Sequence, residues 1–154
     1  MVPRKMVWWL TTLAWAVEIF YLSTPTFRGS LSHTLLTQML ERLHLSIAPD
    51  NVDIFDSILR KLAHLTEYSI FGLLLYGCFS GSKRFVWRPR VAFWCMLAAS
   101  AYSLTDELHQ VFSPGRHARL IDCGIDTTGA AIAMLLVYGS SRFSAASSSK
   151  DFAL

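Results

Sequence analysis

Lys61, His64, Glu67 and Tyr68 follow one another at spacings of three and four, which places them on one face of a helix. Asp106, His109 and Gln110 form a second such face with Glu107 beside it, and Asp122 and Asp126 lie one turn apart in a third segment. Arg116 sits in the Ser-Pro-Gly-Arg turn between the last two. His64 or His109 can act as general acid or base, tuned by Glu67 or Asp106. Lys61 and Arg116 suit a phosphate, arginine as a bidentate partner and lysine as a point charge. The catalytic set read from these residues is His64, Glu67, Asp106 and His109. The binding set is Lys61, Tyr68, Glu107, Gln110, Arg116, Asp122 and Asp126.

Other chemistries leave weaker traces. A carboxylate and histidine set can hold a divalent metal that activates water, but no His-Glu-x-x-His pattern is present, so no metal ligand or cofactor is assigned. There is no Gly-x-Ser-x-Gly elbow and no phosphate loop. Ser103 and Thr105 are weak nucleophile candidates, since most such hydroxyls in apolar helices bond their own backbone. Cys78, Cys95 and Cys123 show no metal spacing and no paired framework, and read as small apolar residues.

The elements that must position these groups are apolar. Of the 154 residues, 53% are hydrophobic and 16% charged, below the quarter or so usual in soluble domains; mean hydropathy is +0.37. Runs at 6–22, 62–79, 91–104 and 120–138 approach the roughly 20 residues that cross a bilayer. Arg4 and Lys5 before the first run suggest a signal peptide, but no small-x-small cleavage pattern follows, so that run is kept as a helix.

Charge sorts the loops. With the N-terminus cytoplasmic, residues 1–5, the 80–90 loop and the tail after Tyr138 hold eight basic residues and one acidic, while the rest holds six basic and ten acidic. Short basic loops stay inside, so both termini are placed in the cytoplasm and no nucleic acid is needed to explain the basic patch. Trp8, Trp9, Trp87 and Trp94 fall near the inner interface, where aromatic belts form. Glu18, the start of the second run, the end of the third and the start of the fourth then share the outer third, with all five histidines on that side. Charges at such depth face the bundle interior and pair; Lys61 and Arg116 are expected to neutralise some of Glu67, Asp106, Glu107, Asp122 and Asp126. Such a network can simply lock helices together, yet the number of ionisable types at one depth favours chemistry.

The long outer connection places Leu31, Leu35, Met39 and Leu43 on one face, an amphipathic helix lying on the membrane or the bundle. Pro49 breaks it, and Asp53 is expected to cap the helix leading into the second span. The expected architecture is all-α: an integral membrane four-helix bundle over residues 1–140, an interfacial helix in the first outer loop, and a flexible Ser/Ala-rich cytoplasmic tail over 141–154.

Lys61-x-x-His64-x-x-Glu67-Tyr68, Asp106-Glu107-x-x-Gln110-x-Phe112-x-Pro114-Gly115-Arg116, then Asp122 and Gly129 resemble the VanZ-like family across about residues 58–135, with an echo in Ser23-x-Pro25. The resemblance implies a small multi-pass membrane protein, and its founding member is associated with reduced susceptibility to the glycopeptide teicoplanin. Two positions depart from the family pattern: Asp126 replaces an asparagine and Ala133 a glycine.

The function expected is an outer-leaflet polar site that binds or modifies a lipid headgroup or lipid-linked envelope precursor, as a membrane-embedded hydrolase or transferase if it is catalytic. The alternative is a non-enzymatic scaffold or partner-binding protein. A small transporter is a third reading; four helices would need a homodimer to enclose a path, and no broken helix marks mid-depth.

Overall fold

The computed structural model describes residues 3–23, 31–44, 48–81, 85–111 and 120–150, excepting the side chains at 31, 32, 49, 110, 111 and 145–150. They form five helices, α1 (Arg4–Leu22), α2 (Leu31–Arg42), α3 (Pro49–Ser80), α4 (Pro89–Val111) and α5 (Leu120–Lys150), with no strand among the described residues. α3 is the hub: α1, α4 and α5 all pack on it, and α2 rests against it.

Small residues let the hub and α5 close up. A Cβ on Gly129 would overlap the Leu65 carbonyl oxygen, and one on Gly72 would come within 2.9 Å of the Ala133 Cβ. Backbone approach of this kind is how helices associate where lipid removes the hydrophobic drive between them. The Ala133 methyl group fits because Gly72 stands opposite it. Ser69 Oγ reaches across to the Gly129 carbonyl at 2.9 Å. On the other side Trp8 lies over Gly77, and the Tyr102 hydroxyl donates to the Ala16 carbonyl at 2.5 Å, tying α4 to α1.

The exterior is apolar. Leu10, Leu13 and Val17 on α1, Phe93, Leu97 and Leu108 on α4, and Leu135 and Leu136 on α5 are all exposed, far more than a water-soluble surface carries. α3 over Asp50–Ser80 and α5 over Leu120–Ser144 are long and apolar enough to cross a membrane. α1 and α4 are of spanning length but more polar, because Arg4, Lys5 and Glu18 fall in one and Arg90, Asp106 and Glu107 in the other. The fold is an all-α membrane bundle. In α2 the expected apolar stripe points away from the bundle: Met39 is 62% and Leu43 63% exposed.

Two boundaries differ from expectation. α3 begins at Pro49, with Asp50 in its first turn, because the fixed φ of proline suits the first helical position. Asp53 therefore sits inside the helix instead of capping it, with its carboxylate 3.3 Å from His33 Nε2 on α2. α5 runs on to Lys150 through the segment expected to be a flexible tail; beyond Gly139 that stretch has no glycine or proline, and alanine favours helix. At the basic end Gly81, with φ of +59°, closes α3 and donates to the Gly77 carbonyl, a left-handed position that glycine fills without strain.

A carboxylate and histidine cluster between helices

Each buried helix face is apolar for most of its length and turns polar at one end. On α4, Cys95 and Ala99 are followed at helical spacing by Ser103 and Asp106; on α5, Val137, Ala133 and Ala130 lead back to Asp126; on α3, Leu75, Phe71 and Tyr68 lead back to His64. The packing that buries the apolar residues therefore presses these polar ones together.

Asp126 is the junction. It is 2% exposed. Ser103 Oγ donates to its Oδ2 at 2.7 Å, and His64 Nδ1 stands 3.3 Å from its Oδ1. Glu67 Oε2 reaches the same ring nitrogen at 4.0 Å. The His64 side chain keeps 18% of its surface exposed, so the imidazole bridges a dry carboxylate and the outside. The Tyr68 hydroxyl is buried and faces Ser103, Asp126 and Asp106.

Asp106, equally buried, accepts a 2.7 Å hydrogen bond from Ser23 Oγ at the end of α1. Glu107 is buried beside it. The Cys123 thiol lies near Ser103, Glu107, Asp126 and Asp122. All four membrane-length helices thus contribute to one polar region. Burying polar groups is costly unless each finds a partner, and the two serines supply partners across helix interfaces.

Not every expected residue joins this region. Lys61 is exposed and makes no ion pair among the described residues; the side chain facing Asp126 from α3 is His64. His109 is exposed, its ring tilted against Phe20 at 4.8 Å. Glu18 is exposed and Asp122 half-buried. The Gln110 side chain and Arg116 lie outside the described residues. Thr105 Oγ1 bonds the Tyr102 carbonyl, and Ser103 is buried and committed to Asp126, so neither stands as a nucleophile. Among the described residues no group of three or more His, Cys, Asp and Glu side chains converges as metal ligands.

Two features go beyond the residue patterns. Ser23 has no helical neighbour of like chemistry, and only its place at the end of α1 brings it to Asp106. Asp56, 3% exposed, pairs with Arg60 Nη1 at 2.7 Å; their spacing of four was the available signal.

The family model described as VanZ/LLP1 matches residues 8–142. The chain belongs to the VanZ/LLP1 family. No curated protein and no solved structure matches it well enough to extend that assignment. The VanZ/LLP1 match runs well beyond the 58–135 stretch whose motifs suggested it. It takes in most of α1 and all of α2, so Ser23, His64, Ser103, Asp106 and Asp126 all fall inside the family region.

Proposed function

We propose that this VanZ/LLP1 protein holds a site at the outer leaflet that binds, and through His64 acts on, the headgroup of a lipid or lipid-linked envelope precursor. One observation carries the reading: a histidine with 18% of its side chain exposed, backed by a buried aspartate that a serine from a third helix fixes. A carboxylate at Nδ1 selects the tautomer and orientation of the ring, and leaves proton exchange with a bound molecule to Nε2. Buried carboxylates outnumber the bases near them, which favours a headgroup whose amine or hydroxyl groups donate into the cluster. Lys61, exposed one turn before His64, is placed for the phosphate. The loop charges support a topology with both termini in the cytoplasm and the cluster outside. Altered glycopeptide susceptibility would follow from withdrawing or modifying such a lipid.

The test is reconstitution in liposomes with photoreactive analogues of phosphatidylethanolamine and of a lipid-linked disaccharide precursor. Labelling of peptides containing Lys61 or Glu107, blocked by excess unlabelled lipid, is expected. His64→Gln should keep labelling but lose any turnover. If neither analogue labels the cluster, the binding reading is wrong.

A second reading has its own support. The Ser23–Asp106 and Ser103–Asp126 bonds each join two helices, as a purely structural lock would. On that reading His64→Gln and Asp126→Asn lower stability and leave glycopeptide susceptibility unchanged in proportion to the protein that remains folded.

A further inference from the structure

At the end of the bundle opposite the carboxylates, α4 and α5 diverge around an apolar groove of about 630 Å³. Trp87, Ala92 and Met96 form one wall, and Ala131, Met134 and Tyr138 the other. Its lining is almost wholly apolar, which suits a hydrocarbon chain. The mouth is different. Arg88 and Arg90 flank Pro89, which itself lines the groove. Arg142 stands one turn beyond Tyr138 on the same face of α5. The Trp87 backbone N–H donates to Ser141 Oγ at 3.1 Å, which holds the start of α4 against this part of α5, so that Arg88, Arg90 and Arg142, all exposed, lie at the same end of the two helices. The Trp87 and Tyr138 rings, both lining the groove, meet edge to face at 5.3 Å, and residues of these two types favour a bilayer interface.

We propose that this groove is a binding site for an anionic phospholipid of the leaflet that meets the basic end of the bundle, one acyl chain lying between α4 and α5 and its phosphate held by Arg88, Arg90 and Arg142. Charge complementarity selects this occupant. A second copy of the chain would bring the same three arginines against one another, and a zwitterionic lipid would leave their charge unmatched. Basic rims over apolar clefts between helices are the general form of acidic-lipid recognition. The site is separate from the carboxylate cluster and does not rest on what that cluster does.

The experiment uses the full-length protein in nanodiscs of phosphatidylcholine doped with brominated phosphatidylglycerol or, in parallel, brominated phosphatidylcholine. Bromine on the acyl chain quenches a nearby indole, and the signal of Trp87 is the difference between the wild type and Trp87→Phe. Quenching by the brominated anionic lipid is expected to saturate at low mole fraction, while brominated phosphatidylcholine quenches only in proportion to its abundance. Arg90→Gln and Arg142→Gln should each raise the half-saturating fraction about five-fold, the effect of one basic residue at an anionic surface. Ala131→Phe, which fills the groove and leaves the rim intact, should remove the saturable component. Equal quenching by the two lipids in the wild type overturns the headgroup assignment without recourse to any variant. Saturable quenching that survives Ala131→Phe overturns the groove as the place where the chain lies.

Discussion

His64 Nδ1 and Asp126 Oδ1 face each other at 3.3 Å across the α3–α5 interface, where glycines bring the two helix backbones into contact. The pair is therefore placed by packing that side-chain rotation alone cannot undo. The contact puts a carboxylate oxygen beside Nδ1 of the ring. Nitrogen-15 spectra of ring-labelled protein in nanodiscs should show the Nδ1–H tautomer for His64. In Asp126→Asn that preference should weaken, and an unchanged tautomer would mean that Asp126 does not orient the ring.

Gly129→Ala forces a methyl group into the Leu65 carbonyl. Overpacking of this kind costs about 1–3 kcal/mol, with no slack because both partners are backbone. Gly124 has nothing within 4 Å of its Cβ position, so Gly124→Ala should be neutral or gain up to about 1 kcal/mol from helix propensity. Unfolding in mixed micelles compares the two, and equal effects would contradict the close α3–α5 contact.

Ser23→Ala removes a hydroxyl donor from buried Asp106. Interhelical hydrogen bonds in membranes are worth about 0.6 kcal/mol on average and about 1.7 at most. A double-mutant cycle of Ser23→Ala with Asp106→Ala, which leaves no acceptor for the serine, should give a coupling in that range. A coupling of zero would show that the end of α1 is not tied to α4 by this bond.

The membrane topology can be read chemically. In a variant lacking Cys78, Cys95 and Cys123, Asp53→Cys, at a position whose side chain is 74% exposed, should react with an impermeant maleimide on intact cells. Arg142→Cys should react only after the cells are opened. The reverse pattern would invert the bundle and put the carboxylate cluster inside.

Much of this was legible in the residues because it is periodic. The polar ends of α3 and α4 repeat at three and four, and their depth follows from the rise of a helix. Asp126 was legible as a charge but not as a centre. Its importance comes from Ser103 on the next helix and from His64, which the α3–α5 approach at Gly72 and Gly129 brings to it. Ser23 showed only as part of the Ser23-x-Pro25 echo: it follows the end of α1, so no helical stripe tied it to Asp106. Lys61 shares the periodicity of His64 but not its environment, because a long flexible amine near a helix end gains more from solvent than from burial. The start of α3 was misplaced by reading Pro49 as a breaker, when proline in the first turn initiates a helix as readily as it ends one.

The 32 residues of α3 measure about 48 Å at the helical rise, against roughly 30 Å of hydrocarbon. If Ser80 marks one edge of the bilayer, as the basic loop beside it requires, His64 stands about 24 Å away along the axis. That is some 6 Å beneath the far edge, at the level where acyl chains give way to ester and headgroup. The depth of the His64–Asp126 pair is then fixed from the opposite face, by a rigid rod. At that depth a thinner bilayer would expose the pair to water and a thicker one would submerge it, so bilayer thickness alone would alter how far His64 meets water.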